Sequence, residues 1–232
     1  LGRPVCDKEG GLGKRSALKK TIGLVLLIGM IVFPDPVAAH QPFVLSETKN
    51  INVVDPTVSK AYYAELKGQP DTYHIMSDEP LSLYLNILVP AIIGVTEDYT
   101  LTIAKDGQPW AVVLPGAEAW IVFDEPFGGD RYRKGPEYRQ EVPPGRYDVV
   151  VSRPDNLGKY VLAVGEIESF SMSEFLRTMT TMVAVKHYFG KSPIAVLESP
   201  LISLPLAAVL LTISAVLGLI LLRRRRRLQT GR

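Results

Sequence analysis

Three histidines, one cysteine and a run of acids and arginines are the residues of this 232-residue chain whose types lend themselves to chemistry. His40 follows Val37-Ala38-Ala39. Cleavage after Ala39 would make it the first residue. An α-amine beside an imidazole can then chelate one copper ion, a nitrogen set suited to Cu(II) in tetragonal geometry. His74, or else His187, would supply the second imidazole. The plain alternative is a histidine that happens to follow a cleavage site. Asp124, Glu125 and Asp130, with Gly128-Gly129 among them, offer hard oxygen ligands of the kind calcium takes. The alternating Asp/Asn spacing of a calcium loop is missing, and Arg131, Arg133 and Lys134 stand beside the acids. A solvated, salt-bridged connector is the better reading. The same loop, residues 124–139, carries Phe127, Arg131, Tyr132 and Tyr138. Aromatic and guanidinium groups on a scaffolded loop are the side chains that anchor protein partners. Trp110 and Trp120 would make a carbohydrate platform if exposed, and core if not.

For covalent chemistry the sequence offers little. It has no Gly-x-Ser-x-Gly elbow, no His-Glu-x-x-His and no phosphate loop. Cys6 precedes Ala39, so a chain cut there would carry no thiol nucleophile, no disulfide and no thiolate metal site. The expectation is a protein that is not an enzyme and holds no resident cofactor, with copper as the alternative.

Charge shows where these groups are displayed. Residues 1–39 carry net +3, residues 40–198 net −7 and residues 199–232 net +6. Basic charge flanking apolar runs is the distribution of a membrane protein. A total near neutrality argues against a nucleic-acid partner. Lys19-Lys20 precede the apolar residues 21–33, which at about 1.5 Å per residue make roughly 20 Å of helix. That is too short for a hydrocarbon core of about 30 Å. Pro34, Pro36 and the small residues ending at Ala39 complete a secretory signal peptide, an uncleaved anchor being the alternative. Residues 201–222, from Leu201 to Leu222, are uncharged and would extend about 33 Å as a helix. Arg223, Arg224 and Arg225 open a five-arginine stop that marks the cytoplasmic side. The expected layout is a leader and signal peptide (1–39), an extracytoplasmic β-sandwich (40–168), an amphipathic helix and linker (169–200), a transmembrane helix (201–222) and a basic tail (223–232). The tail would meet anionic lipid.

The middle region reads mostly as strands. Residues 81–89 alternate, with Leu81, Leu83, Leu85, Ile87 and Val89 on one face. Segments 71–76, 99–103, 110–114, 119–123, 146–152 and 159–164 follow the same grammar. Turns are marked by Lys105-Asp106-Gly107, Pro115-Gly116 and Pro143-Pro144-Gly145. Asp55 as N-cap, Pro56 at N1 and Gly68 as terminator predict a short helix over 57–67. Ser171 and Glu174 have capping-box spacing, with Phe170 and Phe175 at the staple positions. The helix that follows has Phe175, Met179, Met182, Val183 and Phe189 as its apolar stripe and stops at Gly190. The fold class expected is mainly β: an antiparallel, jelly-roll-like sandwich with a short N-terminal helix, a C-terminal amphipathic helix and one transmembrane helix.

Asp71-Thr72-Tyr73, YTLTIAKDGQP and PPGRYDVVVSRPDNLGKYVLAVG together resemble the pre-peptidase C-terminal type of bacterial β-sandwich. Pro144, Gly145, Tyr147, Gly158, Tyr160, Leu162 and Val164 carry the likeness over about 95 residues. The layout also resembles uncharacterised bacterial envelope proteins whose mature region begins near AHQP, and periplasmic copper carriers that begin with His. The resemblance implies location and architecture. The expected role is binding or scaffolding through the sandwich surface, with another envelope protein as partner and lipid around the C-terminal helix. The alternative is a carrier of copper or of a small ligand such as a carbohydrate.

Overall fold

The computed structural model describes residues 40–46, 49–113, 120–125, 128–169 and 171–230. The predicted signal peptide, Cys6, Phe127 and the predicted Phe170–Phe175 staple lie outside what it describes. The chain divides into two units, one of residues 38–200 and one that holds the C-terminal helix.

The first unit is a two-layer β-sandwich. Its strands are β1 (Gln41–Val44), β2 (Asn50–Val53), β3 (Lys60–Lys67), β4 (Asp71–Ser77), β5 (Leu81–Pro90) and β6 (Thr100–Lys105). They continue with β7 (Gln108–Val113), β8 (Ile121–Asp124), β9 (Arg131–Val142), β10 (Gly145–Ser152) and β11 (Leu157–Val164). One sheet has the order β1-β3-β11-β5-β9-β8, the other β2-β4-β10-β6-β7. The alternating residues meet between them: Leu83, Leu85 and Ile87 of β5, Ile103 of β6, Tyr147 and Val149 of β10, and Leu162 of β11 are all buried in one core. Asp106 and Gly107, both at positive φ, form the two-residue turn between β6 and β7. Primed turns of this kind match the right-handed twist of paired strands.

Two expectations are corrected. The sheets are mixed, because β1 pairs with β3 and β2 with β4 in parallel. The predicted helix over 57–67 is strand β3. Tyr62, Ala64 and Leu66 face the inter-sheet core, while Ala61 and Tyr63 face a second apolar layer. A helix would bury one stripe of this segment, whereas a strand with both faces covered buries nearly all of it. Asp55, at φ +47°, sits in a turn in which Val58 N–H reaches its carbonyl at 3.0 Å.

The second apolar layer is made by α1 (Met172–Tyr188). Ser171 and Glu174 form the complete capping box. At the other end Gly190 N–H bonds His187 O at 2.8 Å and Lys191 N–H bonds Lys186 O at 2.9 Å, the pair of contacts that closes a Schellman motif. Val185, Tyr188 and Phe189 cover Tyr63, Tyr84, Leu88, Tyr132 and Val161 on the outer face of the six-stranded sheet. Val183, expected in the stripe, points to solvent, and Lys186 takes an interior place instead. A 3₁₀ turn, Pro193–Glu198, follows.

The helix α2 (Pro200–Thr230), 31 residues with Pro205 inside, lies in the second unit from Leu201 on. Ile202–Arg225 has mean hydropathy 2.5, and it is long and apolar enough to cross a membrane. The helix does not stop at Leu222 but continues through Arg223, Arg224 and Arg225, which are exposed. Leu201 is helical as expected.

Candidate functional site

Much of the candidate chemistry of the sequence gathers beneath α1. His40, Tyr63, Glu125, Asp130, Tyr132 and Met182 help line a cavity of about 40 Å³ between the helix and the six-stranded sheet. Small-molecule pockets run to roughly 300–1,000 Å³. This one has room for a few waters.

Its polar groups are engaged with one another. Tyr63 and Tyr132 share a hydrogen bond at 2.8 Å, and burial raises both phenols above their usual range. His40 Nδ1 is hydrogen-bonded to Ser59 Oγ. Burial first, and then the charge of Lys134, holds the His40 imidazole down at about 4, so it is neutral at pH 7. Beside the cavity the fully buried Lys186 donates to Asp130 Oδ2 at 2.9 Å and to Gly128 O at 2.7 Å. Lys191 donates to Asp130 Oδ1 at 3.0 Å and to Glu198 Oε2 at 2.5 Å. The hydrogen bond from Lys191 holds Glu198 below the usual carboxylate range. Gly129, at φ +71°, sits where a Cβ would stand 2.5 Å from Glu198 O. Only glycine lets the chain at this point and the 3₁₀ segment approach so closely.

The predicted partner loop is thus reassigned. Asp124 ends strand β8, and residues 131–139 lie in strand β9. Arg131 is exposed and bidentate on Asp124, at 2.6 and 3.2 Å. Tyr132 is buried, edge-on to Phe189 with centroids 5.1 Å apart, so it belongs to the helix contact and not to the surface. Tyr138 is half-buried, accepting from Trp110 Nε1 at 2.9 Å and donating to Gln140 at 2.7 Å. Seven residues of strand, about 23 Å, separate it from Arg131, so the two do not form one patch.

The structure does not bring His40 and His74 together. His40 lies on the outer face of one sheet. His74 lies on the outer face of the other, bonded to Asp148 at 2.7 Å and to Asn50 at 3.2 Å. The core stands between them, across sheets about 10 Å apart. Nδ1 of His40, which would close a chelate ring with an α-amine, is already held by Ser59. A copper site made by His40 with His74 does not fit this arrangement. The calcium set does not fit either, since Arg131 takes Asp124 and two lysines take Asp130. Among the described residues no group of three or more His, Cys, Asp or Glu is arranged to hold a metal ion. Trp120 packs partly buried over Gly135, and Trp110 stands edge-on to Tyr147 at 86°, so the two rings do not form a shared open platform.

Sequence reasoning missed Lys186, Lys191, Glu198 and Ser59. Lys186 left a signal, because it stands four residues after Met182 on the buried side of the helix.

No known family model and no curated protein matches the chain. Among solved structures it is similar to the pre-peptidase C-terminal domain of a collagenase from Bacillus anthracis, with 14% identity and a TM-score of 0.32, over 51% of this chain and 93% of that one. It is also similar to the catalytic domain of a GH87 alpha-1,3-glucanase, at 10% identity and TM-score 0.26, over 47% of this chain and 22% of that one. A beta-glucosidase from Paenibacillus barengoltzii matches at 8% identity and TM-score 0.26, over 57% of this chain and 14% of that one. The pre-peptidase likeness read from strand and turn motifs meets a domain of the same type here. The class defined by the fold is a β-sandwich followed by one helix long and apolar enough to cross a membrane.

Proposed function

We propose that this chain is a single-span envelope protein, cleaved after Ala39, whose sandwich lies outside the cytoplasmic membrane and binds or scaffolds another envelope protein. The observation that carries the reading is the exposed apolar edge. Strands β7 and β8 end their respective sheets on the same side of the sandwich, and β8 exposes Ile121 at 60% and Val122 at 64%. Val112 and part of Trp110 are exposed on β7. An unpaired edge strand with apolar side chains is a template for another chain, and proteins that keep one in the open ordinarily blunt it with charge. The pair Asp124–Arg131 flanks the edge as a polar rim. The cavity under α1 is too small to make a ligand carrier the better reading.

A photocrosslinking residue at Val122, compared with one at Met76 on the opposite sheet, tests this in intact cells. The expected result is one reproducible crosslinked membrane protein from position 122 and none from 76, weakened by Arg131→Glu. Equal crosslinking from both positions, or none, overturns the edge as the binding surface. Protease added to intact cells should digest residues 40–198 and spare the tail; full protection overturns the topology.

A further inference from the structure

We infer that the 3₁₀ turn Pro193–Glu198 is a lipid contact, with Ile194 and Leu197 seated in the headgroup layer of the bilayer that α2 crosses. The inference rests on the single-span reading and adds a second membrane-touching element to it. Ile194 is 71% exposed and Leu197 44%. They are three residues apart on a helix of about three residues per turn, so they project from the same side. The one carboxylate of this segment, by contrast, is paired with lysines of α1 and of the chain just after it. Glu198 is bonded to Lys191 at 2.5 Å and lies 3.8 Å from Lys186, and Ser199 is buried. A segment that pairs its one carboxylate with lysine and turns out isoleucine and leucine has the polarity of a surface facing lipid, not water.

Chain length limits where these side chains can be. Pro200 opens α2 and Ile202 begins its apolar stretch. Two helical steps of about 1.5 Å and three residues of at most about 3.6 Å place Leu197 within roughly 14 Å of the span's first residue. The headgroup layer is about 5–7 Å deep on each side of the hydrocarbon. Glu198 is the one charged residue of the turn and its charge is answered by Lys191, so anionic headgroups are not repelled.

The test uses the full chain carrying Cys6→Ser, reconstituted in vesicles of phosphatidylethanolamine and phosphatidylglycerol. Nitroxide labels are placed singly through Ile194→Cys, Leu197→Cys and, as a solvent control, Ile93→Cys. Accessibility to oxygen is compared with accessibility to a water-soluble nickel chelate. Labels at 194 and 197 should favour oxygen over the chelate severalfold more than the label at 93. If all three are equally open to the chelate while the chain survives a carbonate wash, the turn does not touch lipid although the anchor holds. Labels shielded from both reagents would mean a protein contact and would also overturn the inference. If the wash strips the chain from the vesicles, the single-span reading itself fails.

Discussion

The two outer faces of the sandwich carry similar groups in opposite settings. On the six-stranded sheet, α1 covers His40 and the Asp130–Lys186 pair. On the five-stranded sheet, His74, Asp148 and Arg146 form a comparable chain of contacts at 2.7 and 3.2 Å, partly exposed and outside the cover of α1. One helix makes the difference. Beneath it an ion pair is desolvated, its geometry is fixed and a histidine is kept neutral. Without it the same pairings are screened by water and are worth little.

The largest effect should come from splitting the buried pair. Lys186→Ala leaves Asp130 buried with only Lys191 as its cation, and should cost about 3–5 kcal/mol. Asp148→Ala on the other face should cost under about 1 kcal/mol. Urea midpoints of the full chain in detergent, followed by fluorescence, compare them directly, and equal losses would break the contrast between the faces.

Protonation comes next. The His40 imidazole titrates near 4 in the fold and near 6.5 when unfolded. The unfolded chain therefore binds the extra proton between these values. The stability contributed is complete above about pH 6.5 and is lost as pH falls toward 4, by at most about 3 kcal/mol. Denaturation midpoints at pH 7.5 and 5.0 should differ, and His40→Gln should shrink the difference.

The cap should matter less. Ser171→Ala removes the side chain that accepts from Glu174 N–H at 3.2 Å, and about 1 kcal/mol should follow. Hydrogen exchange should speed first in α1 and its covered strands, with the five-stranded sheet unaffected. The smallest effect is expected at Arg146, whose exposed contact with Asp148 should yield a few tenths of a kcal/mol on Arg146→Ala, read from the same urea midpoints.

The strands legible in the sequence were those whose core-facing residues alternate without a break, even where α1 covers the second face, as over Tyr84 of β5 and Val161 of β11. Residues 81–89, 146–152 and 159–164 alternate, and β5, β10 and β11 lie there. Hairpin turns were equally legible, because Asp106-Gly107 and Pro143-Pro144-Gly145 favour few backbone shapes. The strand that read as a helix was β3, whose second face is apolar because α1 covers it. Local signals from Asp55, Pro56 and Gly68 pointed one way, and burial from both sides decided the other. Residues 124–139 read as a loop because their charges hide the first part of β9, a strand next to the sheet edge where many outward side chains meet water.

By itself the sequence determined what is local or periodic: the sandwich grammar, the capping box of α1, and a C-terminal segment of the length and greasiness of a membrane helix. Those properties depend on neighbours a few residues away. The tertiary structure alone decided that His40 and His74 face away from each other, that Tyr132 is interior, and that Lys186 finds Asp130 across 56 residues. These depend on which layers stack and which face a helix covers, and proximity of that kind leaves no spacing along the chain to read.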